Sequence, residues 1–166
     1  MEPKSRKGFC KRDWLSVRET FRSSESALLD LRSEKEYDLG HIPGSFNVPL
    51  LSNQERHEVG KAYKEQGKTQ AVQMGLEIFA HKQEAFLGKV ESLCSSQKEV
   101  VLYCWRGGLR SQMVGAWLGL LGFSVSLIQG GYKSYRHWAL EELEALSRHP
   151  LIVLNGKTGA GKTQIL

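Results

Sequence analysis

Glu99-Val100-Val101-Leu102-Tyr103-Cys104-Trp105-Arg106-Gly107-Gly108-Leu109-Arg110-Ser111 carries the reading of this chain. After Glu99, its next four residues are apolar, two of them β-branched, so that Glu99 to Tyr103 has the pattern of a short buried strand, and from Leu109 to Leu121 the apolar spacing turns helical. Between them stand a cysteine, a glycine pair and two arginines. The stretch therefore predicts a strand, a tight loop and a helix, with a thiol at the strand end facing a helix N-terminus. Successive loop amides, the helix dipole, Arg106 and Arg110 would stabilise a thiolate there and bind an anion beside it. Cys104 is the candidate nucleophile, and Trp105, Arg106, Gly107, Gly108, Leu109, Arg110 and Ser111 form its candidate anion or donor loop. Gly107 and Gly108 let the backbone curl with its amides inward, and Arg110 could reach bidentately across a tetrahedral oxyanion. The bland alternative is an inert, buried Cys104 with surface arginines.

The same alternation of elements extends to both sides. Asp13 to Arg22 places Trp14, Leu15, Val17 and Phe21 as a short helix would, and Ala27 to Leu31 reads as a buried strand. A polar turn and the Gly40–Gly44 loop follow, then a brief extended piece over Phe46 to Leu50. Two helices are predicted over Asn53 to Gln66 and Thr69 to Cys94, a strand over Val125 to Ile128 and an amphipathic helix over His137 to Leu146. Strands alternating with helices predict an α/β fold. It is a parallel sheet covered by helices on both faces, with ligands at the carboxyl ends of its strands.

Length and composition agree with one domain: 166 residues, 40% hydrophobic and 25% charged. Residues 13–146 hold the α/β domain and residues 1–12 a basic tail containing Lys4, Arg6, Lys7, Lys11 and Arg12. Such a tail reads most simply as solvated chain. The net charge of +5 and pI near 9.2 make a polyanion such as RNA a plausible partner. No secretory signal is recognisable, and the uncharged run from Ser111 to Tyr132 is broken by five glycines, so a cytoplasmic protein without a membrane partner is expected. Cys10, Cys94 and Cys104 fit neither a disulfide framework nor a zinc site, and no metal site is predicted.

Residues 147–166 read as a linker and the start of a second unit. Gly156-Lys157-Thr158-Gly159-Ala160-Gly161-Lys162-Thr163 matches G-x-x-x-x-G-K-T after a strand-like Leu151 to Leu154. Amides around Gly156, Gly159 and Gly161 would cradle phosphates, Lys162 would meet the terminal phosphates and Thr163 a magnesium ion. Leu166 leaves no room for an acidic magnesium partner or a base pocket. The chain therefore reads as the front part of a longer two-domain protein. Nucleotide and magnesium chemistry is expected only of that full-length protein.

Asp30-Leu31-Arg32, Glu36-Tyr37 and Gly40-His41-Ile42-Pro43-Gly44-Ser45 resemble the first signature of the rhodanese family of sulfur transferases. Cys104 resembles its persulfide-forming cysteine and Gly130-Gly131-Tyr132 its closing turn. By this resemblance Asp30, Arg32 and His41 are structural supports. The loop is one residue longer than usual, C-x5-R, which is also phosphatase spacing; Tyr103 replaces the histidine common there, and the loop holds no acid. A cysteine phosphatase and a catalytically inert binding fragment remain the alternatives.

Together with the P-loop, three segments resemble the family of bacterial tRNA 2-selenouridine synthases: Asn47 to Leu51, Val59 to Lys64 with Gly67, and Gly130 to Arg136. That resemblance implies a transferase acting on tRNA, with Cys104 as its essential thiol. It would replace sulfur of wobble 2-thiouridine with selenium from selenophosphate, through a geranylated intermediate made from geranyl diphosphate. Selenophosphate and geranyl diphosphate would be substrates, no cofactor would be tightly bound, and tRNA and a selenophosphate-supplying enzyme would be the partners.

Overall fold

A computed structural model describes residues 10–14, 16, 26–94, 98–146, 148, 155 and 157. The chain divides into two units, Met1–Arg136 and His137–Leu166, and the sheet lies in the first. Five parallel strands, β1 (Cys10–Arg12), β2 (Ala27–Asp30), β3 (Phe46–Asn47), β4 (Glu99–Tyr103) and β5 (Ser124–Ile128), are ordered β1-β5-β4-β2-β3. β4 is the middle strand, pairing Val101 with Leu28 on one side and with Ser126 on the other. This is the α/β parallel sheet expected from the alternation of elements.

Side chains of both parities in the central strands are buried, Leu29, Val100, Leu102 and Leu127 on one face and Leu28, Val101, Tyr103 and Ile128 on the other. That explains their near-continuous apolar sequence, the mark of parallel strands covered on both sides. The first set joins Phe79, Phe86, Val90, Val114 and Leu118 of the helices in one core.

The helices are α1 (Glu34–Asp38), α2 (Asn53–Glu65), α3 (Lys68–Ala80), α4 (Gln83–Leu93), α5 (Leu109–Leu120) and α6 (Gly131–Leu146). α1 and α2 each begin with a capping box, Ser33 with Glu36 and Ser52 with Glu55, which satisfies amides that a helix start leaves without partners.

Four expectations are corrected. The stretch expected as one helix over Thr69 to Cys94 is two, broken at His81-Lys82, where the Lys82 amide donates to the Phe79 carbonyl (2.9 Å). The break lets Phe79 and Phe86 meet edge to face (centroids 5.5 Å) and both approach Trp117 (5.1 and 6.1 Å). The polar turn after β2 is helix α1. Cys10–Arg12, within the stretch read as a tail, is an edge strand, because pairing Lys11 with Leu127 uses main-chain groups and needs no apolar side chains. The final helix starts at Gly131, six residues earlier than its apolar pattern indicates.

Of the helix expected over Asp13 to Arg22, Trp14 and Ser16 are helical and the other residues from Leu15 to Arg22 lie outside the described residues. The strand Leu151 to Leu154 and the P-loop, Asn155 and Lys157 apart, lie outside them too. No helix among the described residues is long and apolar enough to cross a membrane.

Candidate functional site at the carboxyl end of β4

Cys104 is the first residue beyond β4, and α5 starts five residues later. The thiol is 3% exposed, deeper than an open nucleophile, and its Sγ lies 3.3 Å from the Ser111 hydroxyl. Ser111 is itself buried in the first turn of α5 and donates to the Gly108 carbonyl (3.1 Å). A hydroxyl in contact with sulfur, able to turn its proton toward a thiolate, is worth roughly 0.5–1.5 kcal/mol. Ser111→Ala is expected to slow alkylation of Cys104 at fixed pH by about 2- to 10-fold, measured by peptide mapping over time.

The loop is held from behind by the start of α6. The amides of Tyr132 and Lys133 donate to the carbonyls of Cys104 (2.9 Å) and Trp105 (3.0 Å), and Gln112 Nε2 donates to the Gly107 carbonyl (3.2 Å). With these carbonyls engaged, the amides of Arg106, Gly107 and Gly108 make no backbone hydrogen bond among the described residues. Backbone amides in that state can donate to a ligand. Gly107 (φ +62°) and Gly131 (φ +60°) adopt the left-handed conformation where the two segments press together.

One strand away, Asp30 and Arg32 form a fully buried pair at the end of β2, with Arg32 Nε 3.0 Å from both carboxylate oxygens and Nη2 2.6 Å from Oδ2. Arg32 Nη2 also donates to the Gly40 carbonyl (2.8 Å), and its guanidinium lies 3.9 Å from the Tyr132 ring centroid. Burial would weaken the Arg32 charge, but the hydrogen bond and attraction of Asp30 outweigh it and raise its pKa. The buried Tyr103 hydroxyl accepts from the Ile42 amide (3.2 Å) and bonds Ser45 (2.8 Å), fixing the 41–45 loop; burial pushes its phenol far up, so it stays neutral. His41 is exposed, stacked on Tyr37 at 3.8 Å. These contacts suit structural supports.

A cavity of about 460 Å³ adjoins the thiol loop. Trp105, Arg110, Tyr132 and Arg32 line it, joined by Glu36, Arg56 and Arg136. Glu36 accepts from Arg56 (3.0 Å) and Arg110 (3.3 Å). Burial would push its carboxyl up, but Arg110, the Ser33 amide and Arg56 prevail and hold it below the usual range. A second cavity, about 270 Å³ and almost wholly apolar, also has Arg110 in its lining. Leu109 and Met113 of α5 face Val59, Tyr63, Val72 and Leu76 of α2 and α3 across it.

The structure thus brings Trp105 and Arg110 to the first cavity and turns Leu109 to the second, whereas Arg106 is exposed and lines neither. Arg56 and Arg136 were not legible as site residues. Arg136 follows Tyr132 by one helical turn, the single signal that could have found it. Burial, with Glu91 nearby, raises the Cys94 pKa against the opposing pull of Lys98. No group of residues among those described could hold a metal ion.

Residues 15–137 match the rhodanese-like domain family, and the chain belongs to it. A crystal structure of the "N-terminal domain of putative ATP/GTP binding protein" from Clostridium difficile 630 superposes with TM-score 0.70 and 34% identity, covering 80% of this chain and 99% of that one. Within that class, the chain is similar to proteins named tRNA 2-selenouridine synthase. It is 38% identical to the one from Sulfurovum sp. (strain NBC37-1), over 86% of this chain and 40% of the relative, and 42% identical to the one from Shewanella oneidensis, over 84% and 38%. The chain therefore spans about two fifths of the length of these curated relatives.

Proposed function

We propose that this chain is the rhodanese-like part of a tRNA 2-selenouridine synthase, a cytoplasmic transferase that replaces the sulfur of wobble 2-thiouridine with selenium, and that Cys104 is its essential thiol. One observation carries the reading: the thiol ends the middle strand of the sheet inside a loop whose carbonyls are tied back to α6, beside a cavity lined by four arginines and a single carboxylate. The likeness to relatives of that name supports the choice of selenium and tRNA within the broader chemistry of rhodanese-like domains.

The donor in this reading is selenophosphate, delivered by the enzyme that makes it. Its phosphate belongs against the free amides of Arg106, Gly107 and Gly108, with Arg110 closing over it. Geranyl diphosphate alkylates the nucleoside sulfur first, which makes that sulfur a better leaving group at C2. Selenium then takes its place. The P-loop, Gly156 to Thr163, is assigned to the diphosphate.

Arg110→Ala tests the donor assignment. A bidentate, charge-assisted contact is worth about 1.5–3 kcal/mol, so selenophosphate affinity should fall by roughly 10- to 150-fold, measured by titration calorimetry with the chain otherwise folded. Unchanged affinity would remove Arg110 from the donor site.

A further inference from the structure

We infer that Glu36 is a positioning residue for the anionic donor: it holds the Arg110 guanidinium by one edge at the cavity beside the thiol loop, so that the other edges meet the donor already ordered. The inference deepens the reading above and rests on its placing Arg110 at the donor. Simple charge counting points the other way, since a carboxylate beside an anion site should repel the anion. The geometry decides between the two.

Glu36 stands on α1 and Arg110 in the first turn of α5, 74 positions later. Glu36 Oε2 accepts from the Ser33 amide (3.2 Å), the Ser33 hydroxyl (3.3 Å) and Arg110 Nη1 (3.3 Å), and Arg56 Nε stands 3.0 Å from the same oxygen. Two guanidiniums and a helix-capping amide therefore balance its charge, and little of its field is left to repel a further anion. The same contacts fix the carboxylate in place, with the cap of α1 on its own chain segment and Arg56 reaching it from α2.

Arg110 has no comparable support of its own. A guanidinium carries five N–H donors. Arg110 gives one to Glu36 and makes no other hydrogen bond among the described residues, and its side chain is 25% exposed. It lines both cavities, whereas Glu36 lines only the first, so this single contact ties the cation to the side of Trp105 and Tyr132. Asp30 neutralises Arg32, which leaves Arg110, with Arg56 and Arg136, to draw an anion into that cavity. Without Glu36 the donor itself would have to order the Arg110 side chain, and that loss of freedom would be subtracted from its affinity.

Two substitutions separate reach from charge. Every contact falls on Oε2 and none on Oε1, so Glu36→Gln, with its carbonyl oxygen in the place of Oε2, keeps the contacts and removes the charge. Glu36→Asp keeps the charge and withdraws it by one methylene.

The test is titration calorimetry of the whole 166-residue chain with inorganic thiophosphate, a stable isostere of selenophosphate. Glu36→Ala is expected to weaken thiophosphate binding about 3- to 10-fold, the range set by immobilising one long side chain. Glu36→Asp should weaken it likewise, and it carries the test if the alanine variant folds poorly in circular dichroism melts. Glu36→Gln should stay within about 2-fold of the unaltered chain, and Glu36→Ala added to Arg110→Ala should change affinity by less than about 2-fold, because the residue acts through Arg110. A residue that only capped α1 would act equally with and without Arg110. Binding by Glu36→Ala as tight as that of the unaltered chain, or tighter, overturns the inference. So does an effect that persists without Arg110, or one that Glu36→Gln equals. Failure of the wider reading is distinguishable: no loss in Arg110→Ala alone ends the donor-site reading, whereas a loss there with an indifferent Glu36→Ala ends the positioning role alone.

Discussion

Asp30→Ala is expected to lower the stability of this protein by about 3–5 kcal/mol, because it leaves the Arg32 guanidinium charged, fully buried and stripped of its carboxylate. Against a total of roughly 5–15 kcal/mol for a domain, that loss brings the chain close to unfolding at room temperature. The Gly40 carbonyl and the Tyr132 ring remain near the cation but carry no negative charge to balance it. Urea titration followed by far-ultraviolet circular dichroism measures the effect. The partner variant Asp30→Ala with Arg32→Met removes both charges and should recover much of the loss, since a buried ion pair replaced by apolar groups of similar volume is often neutral. If the single and double variants unfold together, the destabilisation comes from the lost carboxylate packing and the unpaired charge is not its source.

The second large effect is expected at Gly131. A β-carbon there would stand 2.2 Å from the Cys104 carbonyl and 2.5 Å from the Gly107 amide nitrogen, both backbone atoms that no side-chain rotation can move. The left-handed φ adds about 1–3 kcal/mol of strain for any other residue. Gly131→Ala should therefore push the thiol loop off the start of α6 and break the bonds from the Tyr132 and Lys133 amides. Both stability and the alkylation rate of Cys104 change together in thermal melts and peptide mapping. Gly88→Ala is the contrast: it lies within α4 with nothing within 4 Å of the added methyl and should stabilise by roughly 0.5–1 kcal/mol. Equal effects at the two glycines would contradict the packing described here.

The reach of the sequence follows from what its patterns encode. The strand of Val100 to Tyr103, the cysteine after it and the helix from Leu109 were legible because apolar runs, glycine pairs and helical spacing are local signals. Ser33 and Glu36 also spelled a capping box, which makes α1 readable in retrospect. The break at His81-Lys82 was not legible, since neither residue is a helix breaker and the turn is imposed by Phe79 and Phe86 converging on Trp117. Nor was β1, whose basic residues conceal an edge strand held by main-chain pairing to β5.

At the site, Cys104, Trp105 and Arg110 came from one contiguous motif and the structure keeps Trp105 and Arg110 at one cavity. Arg56 arrives from α2 and Arg136 from α6, separated by eighty residues of chain, and only the folded sheet brings them together. The depth of Cys104 was equally hidden. A loop that looks open in sequence is closed by the Gly130-Gly131 turn, because α6 begins where its glycines allow the closest approach of backbone to backbone.

The central claim is that the Cys104 thiolate is a sulfur-accepting nucleophile: it attacks the outer sulfur of thiosulfate, a persulfide S–S bond forms as the S–S bond of thiosulfate breaks, and sulfite leaves. Its most direct test is intact-mass and peptide analysis of the chain after incubation with thiosulfate, alongside Cys104→Ser. The account predicts a donor-derived mass on the Cys104 peptide, none on the Cys94 peptide, and none anywhere in the variant. A chain that gains no mass at Cys104, or gains it equally at Cys94, would contradict it.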